Sequence, residues 1–175
     1  APDAEEAMKV SNMAKTAVEW THDLCRTLAT PALESSGLAE ALRELAANAE
    51  NIFSIECTFD QTGDEHDIEL TAGMHLYRIA QEAISNAVRH GAAKHVQIAL
   101  VGSPRAVDMQ IADDGRGINE TNKSLDGMGL QIMRYRARMI GATMDVRPQE
   151  LEGTIVTCHY VLPRVSERKE SYVNN

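Results

Sequence analysis

The sequence predicts an α+β fold: a two-layer sandwich with helices on one face of a mixed sheet. Three observations predict it. Val96, Ile98 and Leu100 alternate with Gln97 and Ala99, and Val107, Met109 and Ile111 alternate with Asp108 and Gln110, the period of half-buried strands. Ser103-Pro104 between them signals a hairpin turn. Residues 71–90 switch to helical spacing, so helices are mixed with hairpin strands.

The remaining elements follow in order. Residues 3–29 contain no Gly or Pro and are rich in Ala, Glu, Lys, Met and Leu, which predicts a long helix. Val10, Ala14, Ala17, Thr21, Leu24 and Leu28 repeat at steps of four and three, a heptad seam. It suits a hairpin or dimer arm; an ordinary amphipathic helix lying on the domain is the alternative. Pro31 ends it. Residues 37–51 predict a second helix, with Leu38, Leu42, Leu45 and Ala49 on one face. Residues 52–59 predict a strand and 61–67 a polar loop. The helix at 71–90 buries Leu76, Ile79, Ala83 and Ala87, and Gly91 closes it. A charged loop spans 114–126. Residues 129–140 predict a helix with Leu130, Met133, Ala137 and Ile140 inside. Strands follow at 143–147 and 154–162, and the polar stretch from 164 is expected to fray.

A chain of 175 residues suits one domain with an arm, or at most two small units. Apolar residues at 43% and charged residues at 25% are an ordinary soluble balance, while only 4% aromatics leaves the core to aliphatic side chains and Met. No apolar run approaches the ~20 residues of a membrane span, and the polar, acidic first residues do not read as a signal peptide. A net charge of −9 argues against a nucleic-acid binder. Cys25, Cys57 and Cys158 are odd in number and far apart, as reduced cytosolic thiols would be. His22 and Cys25 alone are too few to hold a metal.

Four groups of residues carry chemistry. Val107, Met109, Ile111 and Asp113 share one strand face, so Asp113 places a carboxylate where that apolar face runs out. Such a carboxylate can accept from a buried amine, such as that of adenine, and Gly115 and Gly117 beside it admit a flat ligand. A plain Asp-Gly turn is the alternative. Glu82, Asn86 and Arg89 line up on one helix stripe, able to hold a hydrated Mg²⁺ and the phosphates it bridges, with His90 beside them. A solvated polar face is the alternative. Asp126-Gly127-Met128-Gly129-Leu130 opens a helix whose exposed N–H groups favour an anion; a flexible loop would look similar. Gly153-Thr154 begins the last strand, and Thr154 shares a face with Val156, Cys158 and Tyr160. A Thr chosen for strand propensity would look the same.

In this order and spacing the four are far more specific than any one alone. Tyr77-Arg78-Ile79-Ala80-Gln81-Glu82-Ala83-Ile84-Ser85-Asn86-Ala87-Val88-Arg89-His90 resembles the N box of sensor histidine kinases. Asp113-Asp114-Gly115-Arg116-Gly117-Ile118 resembles their first glycine box, Gly127-Met128-Gly129-Leu130 the second, and Gly153-Thr154 the closing one. Residues 37–163 therefore resemble the ATP-binding catalytic domain of the GHKL superfamily, with its Bergerat fold. Glu82 and the stretch Arg26-Thr27-Leu28-Ala29-Thr30-Pro31-Ala32-Leu33-Glu34 are similar to the nitrate-sensor-like branch.

The resemblance implies residues 1–31 as the end of a dimerisation domain, 32–163 as the catalytic domain and 164–175 as a tail. It implies ATP and Mg²⁺ as cofactors. Asp113 would receive the adenine amine with Thr154 assisting, Asn86 would ligate Mg²⁺, and Arg89 and His90 would approach the phosphates. Gly127, Gly129 and Leu130 would hinge the ATP lid, and Glu82 would stand where hydrolysing relatives keep a water-activating carboxylate. The γ-phosphoryl group would pass to a histidine on the kinase's own dimerisation domain, and from the full-length homodimer to a response regulator receiver domain in the cytoplasm. The parent protein is either soluble or membrane-anchored.

Three departures stand out. Residues 117–127 are short and hold no Phe, so the lid lacks the aromatic anchor of the larger kinase classes. Tyr135 stands where many members of the branch have an acid. No phosphoacceptor helix precedes the arm, so the chain reads as a fragment. His22-Asp23 copies the phosphoacceptor dipeptide of the branch, but the family's Gln four residues on is Thr27 here, and the seam runs straight into Pro31. The expectation is a chain that binds ATP without phosphorylating itself. A self-contained GHKL ATPase and an anti-sigma serine kinase are the competing functions; an inert scaffold would have lost the key positions, which are all occupied.

Overall fold

The computed structural model describes residues 31–64, 66–118 and 127–163. The predicted heptad helix, His22, the 119–126 segment and the tail lie outside the described residues. Helix α1 (Pro31–Phe53) leads to strand β1 (Glu56–Gly63), helix α2 (Leu70–Arg89), strands β2 (His95–Ser103) and β3 (Ala106–Asp113), helix α3 (Met128–Met139), and strands β4 (Thr143–Pro148) and β5 (Thr154–Val161). The strands form one sheet in the order β1-β2-β3-β5-β4. β1 and β2 are parallel, and the other neighbours are antiparallel, so the sheet is mixed as expected. The resemblance to an α+β two-layer fold holds.

Strand parity builds the core. Val96, Ile98 and Leu100 of β2 lie beside Val107, Met109 and Ile111 of β3 and Val156, Cys158 and Tyr160 of β5, all buried. The opposite face is polar: His159 Nδ1 lies 2.7 Å from Asp108 Oδ1, and Gln97 donates to Asp60 at 3.1 Å. One wet face is what an antiparallel arrangement tolerates. α2 packs between α1 and α3 and buries Leu76, Ile79, Ala83 and Ala87 on the predicted stripe. Met133 and Ala137 seat α3, with Leu130 and Ile140 partly buried.

The boundaries differ from the sequence reading at three places. α1 begins at Pro31 and is broken at Gly37, whose φ of 81° and ψ of −179° are not helical. It then runs through Ile52 to Phe53, residues assigned above to a strand; Ile52 is exposed because it ends the helix on its outer side. β1 takes in Gln61, Thr62 and Gly63, expected in a loop. It is an edge strand, paired through Gly63↔Gly102 to β2 alone, and buries only Cys57 fully. With Gln61 on its inner side, its alternation is invisible to hydropathy. Beyond α2, the left-handed residue is Ala92 (φ 54°), not Gly91. Gly91 is needed for space, since a Cβ there would lie 2.6 Å from the Ala87 carbonyl oxygen.

Cys57 and Cys158 are buried free thiols. Burial, with Glu50 beside Cys57 and Asp108 beside Cys158, pushes them up to about 11 and about 12, so both stay protonated and unreactive. Among the described residues no helix is long and apolar enough to cross a membrane.

Leu76 is fully buried at the centre of α2. Leu76→Ala is expected to cost about 2–5 kcal/mol, the range for emptying such a position. Urea unfolding should show a lower midpoint at unchanged slope.

Candidate functional site

The site gathers at the end of the sheet where β3 stops. Asp113 is the last residue of β3 and is only 8% exposed, one of two buried charged residues among those described. Burial pushes its pKa up, opposed by backbone hydrogen bonds from Gly115 and Thr154 and reinforced by the neighbouring Asp114. The Gly115 N–H donates to Asp113 Oδ1 at 2.9 Å. Thr154 thus meets Asp113 through its backbone amide. A charged oxygen held in a dry place by N–H groups retains a strong acceptor for a ligand amine.

The backbone beside Asp113 is packed too closely for side chains. Gly153 has a φ of 104°, and a Cβ there would lie 1.7 Å from the Asp113 carbonyl oxygen. That carbonyl also accepts from Gln149 Nε2 at 2.7 Å, while the Gln149 N–H donates to Gly153 O at 3.0 Å. The β4–β5 loop is therefore fastened over the end of β3. Gly115 and Gly117 continue the chain past it. The Arg116 N–H donates to Gly91 O at 2.9 Å, joining this turn to the end of α2.

The predicted polar stripe of α2 faces the start of α3. A Cβ on Gly129 would lie 2.2 Å from Glu82 Oε1 and 3.1 Å from Asn86 Nδ2. Glu82, Asn86, Gly129 and Leu130 are each half-buried, whereas Gly127, Arg89 and His90 are exposed at the rim. Two sequence groups more than 40 residues apart are thus brought into contact. Gly127 precedes α3 and gives it no side-chain cap among the described residues, and the first N–H groups of a helix have no partner within it. The structure brings together Glu82, Asn86 and Gly129, and separately Asp113, Gly115, Gly153 and Thr154. Two residues were missed. Gln149 had no signal, being a polar residue in a hairpin. Asp114 was quoted only as a motif letter, and its partners are distant in sequence.

A cleft of ≈ 1220 Å³ lies elsewhere, between Gly37, His66, Leu70 and Arg105. It opens at the β2–β3 turn, the opposite end of β3 from Asp113.

The sequence profile of the family described as histidine kinase-, DNA gyrase B-, and HSP90-like ATPase matches residues 71–164, from α2 past β5. The chain belongs to this family. Every element named in the two site groups lies inside the match. The nitrate/nitrite sensor protein NarQ of Escherichia coli (strain K12) is 31% identical over 140 residues, 79% of this chain and 24% of NarQ. The sensor histidine kinase LiaS of Bacillus subtilis (strain 168) is 32% identical over 147 residues, 83% of this chain and 40% of LiaS. The chain therefore spans less than half the length of either relative. The ATP-binding domain of PrrB from Mycobacterium tuberculosis superposes with a TM-score of 0.59 at 25% identity, covering 70% of this chain and 91% of PrrB's domain. The histidine kinase domain of the blue-light activated kinase from Erythrobacter litoralis EL346 gives 0.57 at 23%, covering 71% and 61%. The described body is an ATP-binding domain of the sensor histidine kinase type.

Within this ATPase fold, Asp114 has an acid-dependent role. Backbone and side-chain hydrogen bonds from His95 hold its carboxyl at about 2. A depressed folded value means stability present above the unfolded value and lost as pH falls through the folded one. Stability should therefore drop between about pH 4 and pH 2, and Asp114→Asn should flatten that limb in pH-dependent denaturant unfolding.

Proposed function

We propose that this chain supplies the catalytic half of a two-component sensor histidine kinase. It binds ATP·Mg²⁺ and passes the γ-phosphoryl group to a histidine on a dimerisation domain. The observation that carries this is the pairing of a buried carboxylate, Asp113, with the Glu82–Asn86 stripe packed on the start of α3. The first suits an adenine amine; the second suits phosphates and their cation. LiaS is a sensor histidine kinase and NarQ a nitrate/nitrite sensor protein, which does not favour a stand-alone ATPase or a serine kinase.

Each residue then has a task. Asp113 accepts from the adenine amine, with Thr154 beside it and Gly115 and Gly117 leaving room for the ring. Asn86 offers a neutral oxygen to Mg²⁺. No group of three or more His, Cys, Asp or Glu among the described residues forms a metal cage, so the donor set fits an ion brought in with the phosphates. Bound Mg²⁺ would neutralise phosphate charge. Arg89 and His90 meet phosphate oxygens from the rim, and Gly127, Gly129 and Leu130 form the hinge by which the start of α3 closes on the nucleotide. In transfer, the bond from the γ-phosphorus to the ADP oxygen breaks and a bond to the histidine nitrogen forms. Glu82 orients that imidazole and takes up its proton. The rest of catalysis is alignment and charge neutralisation. The full-length partners would be the kinase's own dimerisation domain, a second copy of the kinase and a receiver domain, with the reaction in the cytoplasm.

Asp113→Asn is expected to weaken ATP binding by about 1.5–3 kcal/mol, the worth of a hydrogen bond to a charged group, without unfolding the domain. Calorimetry checks it, and equal affinity in both proteins would sink the adenine assignment. A second test supplies a dimerisation domain in trans with labelled ATP·Mg²⁺. Acid-labile label is expected on that domain and none on this chain. Glu82→Gln should bind ATP nearly as well and transfer it more slowly. Acid-labile label on this chain, lost in His22→Ala, would make it a complete kinase core.

A further inference from the structure

We propose that Asp114 is a positioning residue for adenine recognition, acting through Asp113 by locking the open end of the β2–β3 ladder. This rests on the reading of Asp113 as the adenine acceptor.

The last ladder pair of β2 and β3 is Val96↔Asp113. One residue further, the ladder would part, and a carboxylate takes over. Asp114 Oδ1 accepts from the backbone N–H groups of Lys94 and His95 at 2.7 and 2.8 Å. Asp114 Oδ2 lies 2.5 Å from His95 Nδ1, and the Asp114 N–H donates to His95 O at 3.2 Å. A single side chain thus joins the end of β3 to the entry of β2. Lys94 O in turn accepts from the Glu56 N–H at 2.9 Å, which ties the start of β1 to the same segment.

Alternation along a strand sends Asp114 to the face opposite Asp113. It is 43% exposed and turned from the core, so it acts on a base only through its neighbour. The link is short. The turn that Asp114 holds presents the Gly115 N–H to Asp113 Oδ1. It also carries the Arg116 N–H that reaches Gly91 at the end of α2. Release of Asp114 frees the turn, and the carboxylate of Asp113 loses its fixed direction. His95 adds to the clamp when protonated. Its imidazole faces Asp114 and, at 3.5 Å from Nε2, Glu56 of β1, with Lys94 as the adjacent cation.

The test compares ADP·Mg²⁺ with GDP·Mg²⁺ by calorimetry on the whole chain, at a temperature where circular dichroism shows each variant folded. Asp114→Ala should weaken ADP about five- to tenfold, part of the worth of a charged hydrogen bond, and lower the ADP-over-GDP preference by the same factor. Asp114→Asn keeps an oxygen for the two backbone N–H groups and should stay within about twofold of the parent. A lower melting temperature with parental affinity and preference would make Asp114 merely structural and overturn the proposal. Hydrogen exchange on the parent chain gives a reading without any variant. ADP should slow exchange at the Lys94 and His95 amides, because coupling between clamp and ligand is reciprocal; unchanged exchange there would overturn it. A parent that shows no adenine preference, or Asp113→Asn with parental affinity, would instead overturn the reading of the site itself.

Discussion

One buried carboxylate organises this domain. Asp113 ends a strand whose other inner residues, Val107, Met109 and Ile111, are apolar and buried. A carboxylate in that place is costly unless N–H groups surround it. The chain supplies them from two directions, Gly115 from the following turn and Thr154 from the neighbouring strand. Both require backbone at close range, and Gly153, Gln149 and the turn onto Gly91 are the means. The cost is offset without being removed, since burial still pushes the group up. In the proposed function a ligand amine would complete the shell and relieve the remainder.

The adjacent aspartates show how finely strand parity sorts chemistry. Asp113 and Asp114 have identical side chains and opposite electrostatics. One is dry and raised; the other is wet, meets three nitrogen donors and is held at about 2. Desolvation dominates the first and hydrogen bonding the second. The ionised Asp114 is therefore a constant across the neutral range. His95 is the variable partner: its pairing with Asp114 raises it, so its contribution is full below the ordinary histidine value and fades as pH rises through the raised one.

Much of this was legible in the sequence because it is periodic. The inner faces of β2, β3 and β5 and the buried stripe of α2 appear where a period of two or 3.6 puts them. Asp113 stood out as the polar member of an apolar set. What was not legible was pairing beyond the predicted β2–β3 hairpin. The last residues of β1 escaped the sequence reading because an edge strand paired only with β2 can carry Gln61 and Thr62. Ala92 adopts the left-handed turn because the loop, tied at Gly91 and Lys94, leaves it little choice. Gln149 and Asp114 do their work across sequence gaps of 36 and 20 residues, which no local pattern reports.

The polar stripe shows the same limit from the other side. Glu82, Asn86 and Arg89 alone are indistinguishable from a solvated helix face, and Arg89 is in fact exposed. The contact with Gly129 shows that Glu82 and Asn86 face a neighbouring element and not solvent alone. A side chain there would collide with Glu82, so the absent Cβ is what allows α3 to begin against the carboxylate and the amide. That closeness sets the start of α3 against the Glu82 carboxylate and the Asn86 amide, with exposed Arg89 further along the same helix stripe. In the proposed function a neutral metal ligand and a proton acceptor would thus meet the start of a second element, with the core of α2 behind them as a rigid base. Phosphoryl transfer asks little more of a protein than such convergence. Under the proposed function, the receiving histidine would come from a separate domain and would need only to reach the place where α2 meets the start of α3.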